Sequence, residues 1–354
     1  MTARLAIVLG PGGVGKTTLA SALGLAHARA GEHAALLGVD PAHRLRSALA
    51  LPELSEQGVR VPIDAPGSLD AALLDPSACL RRWVADACPD PEQRARIAAN
   101  PFFVALADRL ASFTDAIGCA RAVEWVERDP ALTELVLDTA PGTPALELLA
   151  RPDKLAAFFD GRLIRWLARF AGGIYTGRTV SRLADLSGTG ALREFGALVS
   201  TLEGAIAKLV ERLELARRWL RDPETSIVLA SGVGEDAAAA TRELARGARA
   251  LGFSPRLIVL NRVLPDVLAS SPDRATRSPQ AAAFARYVRG YLRAQQRARA
   301  ELAAELTPVI EIADTAMLDA PDRLAALTEL GEPLRARLAA QRRVDRPRRL
   351  RSRV

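Results

Sequence analysis

The sequence predicts an α/β fold built on a doubly wound parallel sheet with helices on both faces. Three observations predict it. Apolar runs recur at wide spacing, at Leu5–Leu9, Ala34–Val39, Leu135–Asp138, Ser226–Ala230, Leu257–Asn261 and Val309–Ile312, and helical patterns separate them. The runs are apolar throughout rather than alternating, as strands covered on both faces require. Directly after the first run comes Gly10-Pro11-Gly12-Gly13-Val14-Gly15-Lys16-Thr17, a glycine-rich loop that leads into a helical pattern from Thr17 to Arg29.

That loop satisfies the Walker A pattern G-x-x-x-x-G-K-[ST], which makes the predicted fold that of a P-loop NTPase. Glycines let backbone N–H groups turn inward around a β-phosphate, a lysine reaches the β/γ oxygens, and a hydroxyl ligates Mg²⁺. Gly12, Gly13, Val14 and Gly15 would form the cradle, Lys16 the cation, Thr17 the metal ligand, and Thr18 would follow in the first helical turn. Composition supports the assignment: of 48 basic residues only Lys16, Lys154 and Lys208 are lysine. In a chain that otherwise uses arginine, the lysine of the loop is held by its chemistry.

The second run ends in Asp40, before Pro41-Ala42-His43-Arg44. The carboxyl end of a parallel strand beside a phosphate site is where ligands sit. A carboxylate there can orient and deprotonate the water that attacks a γ-phosphate, or it can simply cap the next helix. Asp138 closes Leu135-Val136-Leu137 and precedes Thr139-Ala140-Pro141-Gly142, which suits a Walker B residue holding Mg²⁺ directly or through water. Asn261, followed by Arg262, ends another strand with an amide able to read an adenine edge.

Two segments are too long to be crossovers. Residues 76–129 and 151–222 are helix-rich, and Leu192, Phe195, Leu198, Leu202, Ile206, Leu209, Leu213 and Ala216 recur along one helix face. They are expected to be helical insertions on one ATPase domain spanning residues 1–340. A further helix, Pro279 to Leu306, carries the stripe Phe284, Tyr287, Val288 and Tyr291, whose spacing is read as core packing. No internal repeat is visible, so a fused pair of ATPases is not expected.

The net charge of +7 is local. Between Gln341 and Val354 seven arginines stand against Asp345, leaving the body almost neutral. Residues 341–354 are expected to form a disordered, arginine-rich tail, and no nucleic-acid partner is expected except through it. Cys79, Cys88 and Cys119 form neither a C-x-x-C pair nor an even set, which fits reduced core thiols. No run is long and apolar enough to span a bilayer, and the opening MTARLAIVLG leads into the loop rather than a cleavable signal, so a cytoplasmic protein is expected.

Together the phosphate loop, D-P-A-H at 40–43, D-T-A-P at 138–141 and the strand-terminal Asn261-Arg262 resemble the arsenical pump-driving and tail-anchored-protein-targeting ATPase family, over roughly Leu5 to Leu334. Leu69-Asp70-Ala71-Ala72-Leu73-Leu74-Asp75-Pro76 is similar to that family's strand leading into its first helical segment. The resemblance implies an ATP- and Mg²⁺-dependent dimeric switch, a homodimer or a heterodimer with a paralogue, whose helical segments bind a protein client. It implies that Lys16 and Thr17 hold phosphate and Mg²⁺, Asp40 activates water beside the metal, Asp138 anchors the second switch, Asn261 and Arg262 meet the adenine, and Ala313 and Asp314 border the base.

The chain departs from that family in three places. Pro11 stands where the family has a lysine that crosses to the partner's nucleotide; Gly142 to Glu147 replaces the usual second-switch motif; and the C-x-x-C zinc clamp is absent. A slow or non-hydrolysing ATP-dependent binding subunit is therefore an alternative, and the arginine tail suggests a partitioning-type ATPase as another. Phe158, Phe159, Trp166, Leu167 and Phe170 are candidates for a client groove or for buried core. An iron–sulfur role is not expected, because no second cysteine follows Asp138. The scattered cysteines give little support to metalloid binding.

Overall fold

Strand-forming runs without alternation need cover on both faces, and the chain supplies it by returning through a helix after nearly every strand. A computed structural model describes residues 2–39, 44–88, 90–99, 104, 113–142, 146–150, 189–270, 278–305, 307–313 and 322–350. Its strands are β1 (Arg4–Leu9), β2 (His33–Gly38), β3 (Val59–Arg60), β4 (Ser68–Leu73), β5 (Glu134–Asp138), β6 (Ser226–Ser231), β7 (Leu257–Val263) and β8 (Val309–Ala313). Its helices are α1 (Lys16–Arg29), α2 (Arg44–Ala48), α3 (Pro76–Ala87), α4 (Pro91–Ala99), α5 (Thr114–Arg128), α6 (Thr189–Leu220), α7 (Glu235–Ala250), α8 (Pro279–Ala303) and α9 (Arg323–Leu350).

The strands form one sheet in the order β3-β4-β2-β5-β1-β6-β7-β8. All pairings are parallel except β3 with β4, a two-residue antiparallel edge that the wide-spaced apolar pattern does not disclose. β1 lies between β5 and β6, where the direction of winding changes. In such sheets the crevice at the strands' carboxyl ends beside that point is the ligand site.

The central strands carry the core. Every residue of β5 and β6 is buried, as are Leu5 to Leu9 of β1. The edge strand β8 is mostly open, with Glu311 paired to Arg299. α1 is apolar nearly all round because it is covered on two sides, by the sheet and by α9. Gly331 makes the helix approach possible: a Cβ there would lie 1.9 Å from the carbonyl oxygen of Ala22.

The expectation of a disordered tail over residues 341–354 is corrected as far as Leu350; residues 351–354 lie outside the described residues. α9 continues to Leu350, and within it Arg342 is buried. Its Nη1 and Nη2 donate to Glu134 at 3.0 and 2.9 Å, and its Nε donates to Ser226 Oγ at 3.3 Å. Glu134 begins β5 with no solvent exposure and also meets Arg4 Nε at 2.6 Å. Burial, the largest influence, pushes its carboxyl up, but His27, Arg342 and Arg4 outweigh it and hold the pKa below the ordinary carboxylate range. A run of arginines reads as a solvated appendage until one of them finds a buried acid.

The stripe on α8 is corrected as well. Phe284 and Tyr287 are 68% and 66% exposed, because the buried face is Leu292, Gln295, Ala298 and Leu302 in the helix's other half.

The chain divides into two compact units, one of Met1–Leu73, Asp129–Leu149 and Leu220–Val354, the other of Leu74–Arg128 and Ala150–Trp219. The first holds the sheet. The described residues of the second are mostly helical, and Glu124 of α5 is fully buried. Burial raises that carboxyl's pKa, but hydrogen bonds from Arg82 and the charges of Arg82 and Arg121 bring it below the ordinary value. Cys79, Cys88 and Cys119 are all buried in this unit and form no disulfide, and burial pushes the Cys119 thiol far up. Among the described residues no helix is long and apolar enough to cross a membrane.

Candidate functional site

The loop between β1 and α1 folds as its glycines allow. Gly13 and Gly15 have φ of 77° and 93°, a region that other residues adopt rarely. Gly15 also has no room for a side chain, since a Cβ would sit 2.4 Å from Asn261 Nδ2. Gly10 is equally constrained, with a Cβ position 2.5 Å from the carbonyl oxygen of Ala230 in β6. Gly13, by contrast, faces open space, with nothing within 4 Å of the corresponding point. The loop is thus anchored at both ends and open at its crest.

Lys16 is the first residue of α1 and only 7% exposed. Its Nζ donates to the carbonyl oxygen of Pro11 at 3.0 Å, so the ammonium is curled back into its own loop. Thr17 and Thr18, half-buried, occupy the first turn behind it. Asp138 ends β5 in register with Val8 of β1 and Gly38 of β2, which sets its carboxylate, 3% exposed, at the carboxyl end of the central strands. Two backbone ties fix the neighbourhood: Gly142 N–H donates to Gly10 at 3.0 Å, and Val39 N–H donates to Asp138 at 2.8 Å. Thr139 Oγ1 donates to Val8 at 2.8 Å, a role for the threonine of D-T-A-P that only the fold discloses.

Asn261 comes to the loop from β7. Its Nδ2 donates to the carbonyl oxygen of Val14 at 2.9 Å, and its Oδ1 accepts from Arg262 N–H at 3.0 Å. The amide read from sequence as an adenine contact also braces the phosphate loop. Arg262 is exposed and lies at a β-bulge with φ of 62°. Ala313 ends the edge strand β8 in register with Val263. Asp40, the D-P-A-H segment, Thr143 to Ala145, Asp314 and the groove candidates Phe158, Phe159, Trp166, Leu167 and Phe170 lie outside the described residues.

The residues present fit a magnesium nucleotide. The Thr17 hydroxyl at a helix start and the strand-end carboxylate of Asp138 are hard oxygen donors of the kind Mg²⁺ takes, and the buried Lys16 ammonium and the open crest of the glycine loop suit phosphate oxygens. The positive end of α1 adds to the attraction for phosphate.

The sequence profile of the family described as Anion-transporting ATPase matches residues 3–289. The chain belongs to this family. Membership in the anion-transporting ATPases agrees with the sheet, the loop and the D-T-A-P strand, and it confirms the family resemblance drawn from the motifs. An uncharacterized protein of Streptomyces coelicolor, SCO2128, is 32% identical over 286 residues, covering 74% of this chain and 63% of that protein. ATPase GET3 of Malassezia globosa is 31% identical over 146 residues, 41% of either chain. Protein Rv2184c of Mycobacterium tuberculosis is 40% identical over 90 residues, 23% of this chain and 21% of that one. The chain thus spans less than two thirds of the length of the curated relatives it matches.

Proposed function

We propose that this chain binds Mg-ATP and hydrolyses it in the cytoplasm as a switch, coupling nucleotide state to a client or partner through its helical unit. One observation carries this reading: Lys16 is buried within a fully formed phosphate loop, its ammonium resting on the Pro11 carbonyl from which a phosphate oxygen can draw it. Lys16 would meet the β/γ oxygens, Thr17 and Asp138 would hold the metal, and Asp40 would orient and deprotonate the attacking water. Bound Mg²⁺ would neutralise charge on the phosphate oxygens. Asn261, and with it Arg262 and Ala313 at the ends of β7 and β8, would border the base.

Titration calorimetry with Mg-ATP and a phosphate-release assay test this on the purified chain. Micromolar binding lost in Lys16→Ala, and turnover lost in Asp40→Asn, are expected. No binding by the unmodified chain, or equal binding by Lys16→Ala, would sink it. If turnover matches that of Asp40→Asn, the chain is a binding subunit that does not hydrolyse.

Pro11 favours a second reading, in which the chain works beside a paralogous ATPase. A proline has no charge to offer a neighbouring nucleotide, so this subunit would receive help across a dimer interface without returning it. Turnover that is high alone and unchanged by mixing with candidate paralogues would exclude pairing. A partitioning role has lost part of its support, since Arg342 is sequestered by Glu134.

A further inference from the structure

α8 grips the segment that braces the phosphate loop. Gln295 is completely buried on a face otherwise formed by Leu292, Ala298 and Leu302. Its side chain accepts from Leu264 N–H at 2.8 Å and donates to the Leu264 carbonyl at 2.9 Å. One turn earlier, Tyr291 donates its hydroxyl to the carbonyl of Arg262 at 2.5 Å. The two side chains bracket the β-bulge at Arg262, whose positive φ a non-glycine residue holds only where its surroundings impose it. Immediately before the bulge, Asn261 reaches Val14 of the loop.

We propose that Gln295 and Tyr291 are positioning residues for nucleotide binding, acting through the bulge and Asn261 on the phosphate loop. The proposal rests on the Mg-ATP reading of that loop. The bulge turns the backbone after Asn261, and its register decides where the Asn261 amide points. With α8 holding the carbonyls of Arg262 and Leu264, the amide meets the Val14 carbonyl, and Gly15 is left no space but the one it occupies. An unsatisfied buried amide is costly, which ties the Gln295 side chain to the Leu264 backbone it satisfies. Their hydrogen bonds go to Arg262 and Leu264, on the far side of the bulge from Asn261, so the effect on the loop runs through Asn261.

The variants Tyr291→Phe and Gln295→Leu, made in the full chain, test this, with Phe284→Ala on the exposed part of α8 as control. Mg-ATP affinity is measured by calorimetry, kcat and KM by phosphate release, and loop mobility by hydrogen exchange of peptides covering Gly10 to Thr17 without nucleotide. Each variant is expected to weaken binding about five- to tenfold, the value of one or two buried hydrogen bonds. Loop exchange should quicken and KM rise, while kcat changes less than twofold. The control should match the parent. Should Gln295→Leu fail to fold, Tyr291→Phe, which removes one hydroxyl, still decides the matter. Affinity within twofold of the parent and unchanged loop exchange overturn the positioning role while leaving the Mg-ATP reading intact. A parent chain that binds no nucleotide overturns both.

Discussion

Replacing Arg342 by methionine removes a buried guanidinium from a pair that closes the sheet's lower end. Two hydrogen bonds to Glu134, at 3.0 and 2.9 Å, and one to Ser226 are lost at once. Removing one partner of a buried ion pair costs ~3–5 kcal/mol when the remaining charge is uncompensated. Here Arg4 stays at 2.6 Å from Glu134 and His27 at 3.8 Å, so a loss of about 2–3 kcal/mol is expected by that reasoning. Urea unfolding followed by far-ultraviolet circular dichroism measures it. The pH dependence follows from the lowered carboxyl pKa of Glu134. A depressed carboxylate contributes stability that is complete above its unfolded value, roughly 4.3, and is lost as the pH falls through its folded value. The gap between parent and Arg342→Met should therefore be widest near neutrality and narrow in acid. A loss below about 0.5 kcal/mol at pH 7, the range of ordinary surface substitutions, would refute the burial of Arg342 and restore a solvated tail.

Two further outcomes follow from close approaches. Gly331→Val should destabilise the chain by more than about 2 kcal/mol, because its Cβ position overlaps the Ala22 carbonyl and α9 must separate from α1; stability within ~0.5 kcal/mol of the parent in the same urea titration would contradict that packing. Gly15→Ala should abolish measurable Mg-ATP binding while the far-ultraviolet spectrum is preserved, since φ of 93° and the Asn261 amide both oppose a Cβ; retained affinity would mean that the loop binds in another conformation.

Most of the sheet was legible because its strands are short, uniformly apolar and separated by helical patterns, as β1, β5 and β6 illustrate. β3 was not, since two residues carry no periodicity and pair only because β4 offers an open edge. The aromatic stripe on α8 obeyed helical spacing yet lies mostly exposed, because spacing shows that residues share a face and not that anything covers it. The signal missed on that helix was Gln295, a polar residue in line with Leu292, Ala298 and Leu302. A buried amide on an apolar face marks a backbone segment that needs its hydrogen bonds.

The sequence by itself determined the phosphate loop, because that chemistry is local: consecutive residues supply the turn, the cation and the hydroxyl. It also determined the family, through motifs at the ends of strands. Only the tertiary structure decided what holds the loop in place and where the arginines go. Asn261 meets Val14 across 247 positions, and Arg342 meets Glu134 across 208. Contacts of that kind leave no periodic trace, since they depend on which strands become neighbours and which polar groups burial then forces to find partners.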